Sequence, residues 1–126
     1  MALTEKQKKR NLKLMEDIIK YLQKHEMFEM ITIYVNGHKY TDDKRENAIE
    51  CSTKYGPYYD NGPCDVTTIL EYNNPDILTM SFEGPLYHAY NGYSGHTSAE
   101  EDIQKICNKY NLYPEQGYAW SLAVYE

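Results

Sequence analysis

The chain has 126 residues, 41% of them hydrophobic and 25% charged, which is enough for one domain with a sizeable core and too apolar for wholesale disorder. Thirteen Lys and Arg stand against nineteen Asp and Glu, a net charge of -6 that excludes a conventional basic nucleic-acid binder. Tyrosine is the outlying residue type, with fourteen Tyr beside two Phe and one Trp.

The first predicted element is a helix over residues 5–25. Thr4-Glu5-Lys6-Gln7 reads as a capping box, and Leu12, Met15, Ile18, Ile19 and Leu22 form one apolar stripe. Lys8, Lys9, Lys13, Lys20 and Lys24 fall largely off that stripe. Residues 30–35 alternate as a strand with Ile31, Ile33 and Val35 on one face. Asn36-Gly37 then supplies a two-residue hairpin turn into a return strand over residues 38–41. A second, short helix is expected from Asp43 onward, through Ala48, Ile49 and Ser52, closed by Tyr55-Gly56-Pro57.

Residues 58–63 read as a loop. Residues 66–72 and 77–83 read as two strands joined by a hairpin at Asn73-Asn74-Pro75-Asp76. Residues 84–96, with three Gly and three Tyr, read as a long and therefore functional loop. Ser98-Ala99-Glu100-Glu101 opens a third helix carrying Ile103, Ile106, Cys107 and Tyr110 inward. A final strand covers residues 118–125 with Tyr118, Trp120, Leu122 and Val124 on one face. The expected fold is α+β: a single domain over residues 1–126, order α-β-β-α-β-β-α-β, with a five-stranded antiparallel sheet and about three helices packed on one side.

Charge is unevenly distributed. Residues 1–24 hold seven Lys/Arg and three acids, whereas residues 25–126 hold six against sixteen. Residues 55–104 contain no Lys or Arg, yet carry Asp60, Asp65, Glu71, Asp76, Glu83, Glu100, Glu101 and Asp102. A basic helix (residues 5–25) is thus joined to an acidic, Tyr-rich body (residues 28–126).

Cys51, Cys64 and Cys107 are too few and too scattered for a disulfide scaffold, which points to a reducing compartment. Lys13, Glu16, Asp17 and Lys20 interrupt the apolar stretch that would follow the basic start of a signal peptide. No apolar run approaches the roughly 20 residues of a membrane span. A cytoplasmic protein, neither secreted nor anchored in a membrane, is expected.

No spacing fixes a reaction. Cys51, Cys64, Cys107, His38, His88 and His96 lack the close pairing of a zinc site, so neither a metal nor another cofactor is expected. No Gly-x-Ser-x-Gly elbow, P-loop or dinucleotide fingerprint is present. Tyr55, Tyr58, Tyr59, Tyr87, Tyr90 and Tyr93 lie among Gly, Asn and Pro in expected loops, a pattern of binding surfaces. Tyrosine offers a rigid, amphipathic contact area, and carboxylates around it favour a basic partner. The candidate partner-binding residues are Tyr58, Tyr59, Asp60, Asp65, Glu71, Glu83 and Tyr90.

The opening Leu3-Thr4-Glu5-Lys6-Gln7-Lys8-Lys9, together with the acidic body rich in Tyr and Asn, resembles small phage- and mobile-element-encoded inhibitors of CRISPR nucleases, the anti-CRISPR proteins. The sequence-level likeness covers those seven residues, and elsewhere it is one of composition. It implies a non-enzymatic, stoichiometric inhibitor that blocks DNA or PAM binding by an RNA-guided nuclease. It also requires the basic helix to face away from the partner or to contact guide RNA, the one direct nucleic-acid contact expected. Three alternatives stand beside it: an RNA-contacting module acting through the Lys-rich helix, an immunity protein or antitoxin neutralising a cognate toxin, and a small enzyme or ligand-binding domain. The last would have its pocket under the 84–96 loop and use His88 or His96 as acid or base.

Overall fold

A computed structural model describes residues 2–92 and 98–126 of the chain. Helix α1 (Glu5–Lys24) begins at the expected capping box: Gln7 N–H donates to Thr4 Oγ1 at 3.1 Å, and Thr4 N–H donates to Gln7 Oε1 at 2.9 Å. Leu14, Met15, Ile18, Ile19 and Leu22 are fully buried along one side. Asn11, also buried, donates from Nδ2 to Asn36 Oδ1 at 3.1 Å and to the Asp76 carbonyl at 3.0 Å. The helix is thereby fixed to two turns of the sheet.

Strands β1 (Ile31–Val35) and β2 (His38–Thr41) form the predicted hairpin. Its turn residues Asn36 and Gly37 have φ of 53° and 76°, the pair of positive values a right-twisted two-residue connection demands. Five further strands follow: β3 (Ile49–Thr53), β4 (Gly56–Pro63), β5 (Leu78–Phe82), β6 (Tyr113–Gln116) and β7 (Ser121–Tyr125). All pairings are antiparallel, in the order β3-β4-β2-β1-β5-β7-β6. Among the described residues the fold is α+β with one antiparallel sheet and three helices, as expected in class and number, but the sheet has seven strands rather than five.

The extra strands come from three departures from the sequence expectation. The expected helix from Asp43 is a turn followed by β3. Asp42 directs its carboxylate to the Met30 and Ile31 N–H groups at 3.1 and 2.9 Å, and Asn47 at φ 65° ends any local helix. The expected loop 58–63 is β4, because β3 and β2 on its two sides satisfy its backbone groups. The expected strand 118–125 is shortened to β7, and residues 113–116, assigned to no element in the sequence, form β6, which pairs with it across a turn at 117–120.

Conversely, the expected strand 66–72 holds a 3-10 turn, Val66–Thr68, so the 73–76 turn does not join two strands. Asp65 overrides the β-propensity of Val-Thr-Thr by accepting from Thr67 N–H at 3.0 Å and from Thr67 Oγ1 at 2.6 Å. Within the expected loop 84–96, helix α2 (Pro85–Tyr90) starts with Pro at the first turn after Gly84. Tyr93, Ser94, Gly95 and His96 lie outside the described residues. Helix α3 (Ala99–Asn108) starts where expected, but the Ser98 side chain makes no capping bond.

All three helices pack on one face of the sheet. Ile31, Ile33, Val35, Tyr40, Tyr58, Leu78, Met80, Phe82, Leu122 and Val124 meet the α1 stripe, Leu86, Ala89 and Tyr90 of α2, and Ile103 and Cys107 of α3. Each fully buried aliphatic or aromatic side chain contributes about 1.5–3 kcal/mol. No helix among the described residues is long and apolar enough to cross a membrane.

Candidate functional site

Strand alternation puts Thr32, Tyr34, Thr41, Tyr59, Thr79, Ser81, Ser121 and Ala123 on the face turned away from the helices. The 64–77 excursion crosses part of that face, where Val66 and Leu70 pack on Tyr34 with Cys64 and Trp120 alongside. Next to this small cluster stands an aromatic stack. The Trp120 and Tyr118 rings lie nearly parallel with centroids 5.0 Å apart, and Tyr72 meets Tyr118 edge-on at 5.2 Å. A Cβ on Gly117 would lie 2.8 Å from Tyr72 Cβ, so only glycine lets the stack close this tightly. Tyr72 and Tyr118 remain 49% and 38% exposed, a large apolar area left to solvent. The Tyr118 hydroxyl donates to Glu71, and this bond is the main reason its phenol ionises above its ordinary range.

Trp120 also forms one wall of a cleft of about 410 Å3 whose other lining residues include Met30, Thr32, Ser81, Asp42, Asp43 and Glu83. Three carboxylates thus face a single cation there, Arg45, which lies 3.5 Å from Asp43. Asp42 is held rigidly by its two backbone contacts. The result is one continuous patch that runs from Tyr72 and Glu71 over Tyr118 and Trp120 to Glu83 and Asp42. Its rings offer desolvatable contact area, and its carboxylates select for positive charge.

The residues singled out in the sequence separate on the two sides of the sheet. Glu71 and Glu83 belong to the patch, and Tyr59 lies on the same face, paired with Thr41. Asp65 is exposed but caps the 3-10 turn, and those hydrogen bonds hold its carboxyl below the usual range. Asp60 points to the helix side and lies 3.0 Å from His38 Nδ1. Tyr58 and Tyr90 are core residues, 6% and 5% exposed. The patch residues not singled out were Tyr72, Tyr118, Trp120, Asp42 and Asp43. The one sequence signal for the stack was Gly117 preceding Tyr118 and Trp120.

The Lys-rich helix lies on the opposite side. α1 covers the other face of the sheet, with Lys6, Lys8, Lys9, Lys13 and Lys24 exposed beyond it. Among the described residues no three His, Cys, Asp or Glu side chains cluster as metal ligands. Burial pushes the Cys107 thiol up to about 12 and raises that of Cys51, so both remain protonated and weakly nucleophilic near neutral pH.

A second cavity, of about 420 Å3, opens on the helix side between α1, α2 and α3. Tyr21, His25, Glu26, Met27, Pro85 and His88 line it together with Ala89, Ser98, Ala99 and Asp102. The Tyr21 hydroxyl donates to Asp102 Oδ2 at 2.8 Å, and the Tyr21 and His25 rings are 4.7 Å apart. His88 is thus in a pocket, as one of the sequence alternatives expects, while His96 lies outside the described residues. No family model matches the chain, and neither a curated protein nor a solved structure matches it significantly.

Proposed function

We propose that this protein is a non-enzymatic inhibitor that docks its acidic, aromatic sheet face onto a basic, nucleic-acid-handling protein. The partner class is the one the anti-CRISPR resemblance implies, an RNA-guided nuclease whose DNA- or PAM-binding channel is blocked. The observation that carries this reading is the continuity of the Tyr72–Tyr118–Trp120 stack with the Asp42, Asp43 and Glu83 cleft, on the face opposite the Lys-rich helix. A basic channel is lined by Arg and Lys that normally meet phosphates. A carboxylate-rimmed patch competes for the same cations, and aromatic anchors supply contact energy that phosphate mimicry alone lacks. With α1 on the other side of the sheet, its lysines do not oppose docking.

The test is inhibition of target-DNA cleavage by a guide-RNA-loaded CRISPR nuclease, with binding measured in parallel at low and at physiological salt. The wild-type protein inhibits at near-equimolar ratio, and its affinity falls with added salt. Trp120→Ala and Glu83→Lys each weaken binding by about tenfold or more, and Glu83→Lys does so with the thermal midpoint near wild type. Binding that ignores both salt and these substitutions would overturn the proposal. Protection against a cognate toxin by the same face, without nuclease inhibition, would replace the partner class and keep the surface.

A further inference from the structure

We propose that the cavity between α1, α2 and α3 binds a small organic cation, a primary amine or guanidine carried on an apolar body. Its volume of about 420 Å3 lies within the range of small-molecule sites, and three separate helices build it. Met27, Pro85, Ala89 and Ala99 form apolar walls suited to a hydrocarbon or ring. Among the described lining residues the carboxylates Glu26 and Asp102 stand with the imidazoles His25 and His88, and no Lys or Arg lines the cavity.

Helix polarity at this cavity is mixed. α1 ends at this cavity, so the negative end of its dipole adds to the two carboxylates. The N-terminal ends of α2, at Pro85, and of α3 oppose it, while Glu100, Glu101 and Asp102 in the first turn of α3 offset the positive end of that helix. Among the described lining residues, an anion entering here would meet two carboxylates and no Lys or Arg. A neutral ligand would leave the carboxylate field unused.

Asp102 is the recognition group. Tyr21 donates to its Oδ2, which fixes the carboxylate and leaves Oδ1 without a hydrogen bond among the described residues. An ammonium or guanidinium N–H donated to Oδ1 makes a charge-assisted hydrogen bond, about twice as strong as a neutral one. The Tyr21 and His25 rings line the same cavity beside Asp102. Burial and then the Asp102 bond raise the Tyr21 phenol well above its ordinary range, so Tyr21 stays a hydrogen-bond donor to the carboxylate throughout the physiological range. The site lies across the sheet from the aromatic patch and is independent of it.

Calorimetric titration with three probes of similar size tests the assignment: 2-phenylethylamine, 2-phenylethanol and 3-phenylpropionate. The amine binds at least about tenfold more tightly than the alcohol, and the carboxylate does not bind. Asp102→Asn keeps the shape and the Tyr21 hydrogen bond, so it abolishes the preference for the amine without moving the thermal midpoint of the free protein by more than a few degrees. Tyr21→Phe weakens amine binding to a lesser extent by releasing the carboxylate. Trp120→Ala leaves amine binding unchanged, which separates this site from the partner-binding face. Failure of the amine to bind at millimolar concentration, equal binding of amine and alcohol, or insensitivity to Asp102→Asn would each overturn the inference.

Discussion

The same strands present two unlike faces. On the helix side Ile33, Met80 and Leu122 are fully buried, in register across β1, β5 and β7. One residue along on each strand, Thr32, Ser81 and Ser121 face the other way. The first row is held by burial of apolar area, the second by backbone pairing beneath an excursion that covers only part of it. The tyrosines divide along the same line. Tyr40, Tyr58 and Tyr90 fill the core, whereas Tyr72 and Tyr118 stand at the edge of the open face. A single composition thus serves stability on one side and recognition on the other.

That division is most directly broken by adjacent substitutions on β5. Met80→Ala leaves a cavity beneath the helices and lowers unfolding free energy by about 2–5 kcal/mol. Ser81→Ala, its neighbour on the open face, changes it by about 0.5 kcal/mol or less. Urea denaturation of the two variants measures the contrast, and equal losses would remove it.

Alkaline titration sharpens the comparison next. Tyr40 is pushed up to about 12 by burial and then by Asp60, and Tyr110 to about 12 by burial and then by its bond to Asp17. Burial raises Tyr58 and Tyr90 as well. These phenols hold their protons more tightly folded than unfolded, where they ionise near pH 10. Their contribution is therefore complete below about pH 10 and is lost as pH rises through about 12. Denaturation midpoints stay level from about pH 8 to 10 and then fall steeply, and Tyr40→Phe makes that fall shallower.

The smallest effect is expected on the far side of the sheet. Reversing Lys8, Lys9 and Lys13 to Glu alters partner affinity by less than about twofold at physiological salt, where charges beyond about 8 Å are largely screened. A loss of tenfold or more in a binding assay would put α1 in the interface and exchange the roles of the two faces.

Elements with a complete local signal were legible. The Thr4 capping box with its apolar stripe specified α1, and Asn36-Gly37 between alternating segments specified the first hairpin, because caps and turns are satisfied by residues a few positions apart. β3 and β4 were not legible: Ile49-Glu50-Cys51-Ser52 supports a short helix or a strand equally, and Asp43, read as a helix start, instead follows Asp42, whose carboxylate bonds to Met30 and Ile31. The site was half legible for a related reason. Charge placed Glu71 and Glu83 in an acidic stretch, but Tyr58 and Tyr90, set among turn residues, are drawn into the core by strand and helix pairing around them.

Local chemistry in the chain settled the first helix, the first hairpin, the α+β class and the separation of a basic segment from an acidic, Tyr-rich body. Those follow from periodicity, capping and charge, which act over a few residues. Only tertiary structure decided that the basic helix and the aromatic-acidic patch stand on opposite faces of one sheet, and which tyrosines reach solvent. Register across seven strands sets those outcomes: a side chain's face depends on the parity of its pairing with distant strands, and a shift of one residue would exchange core for surface.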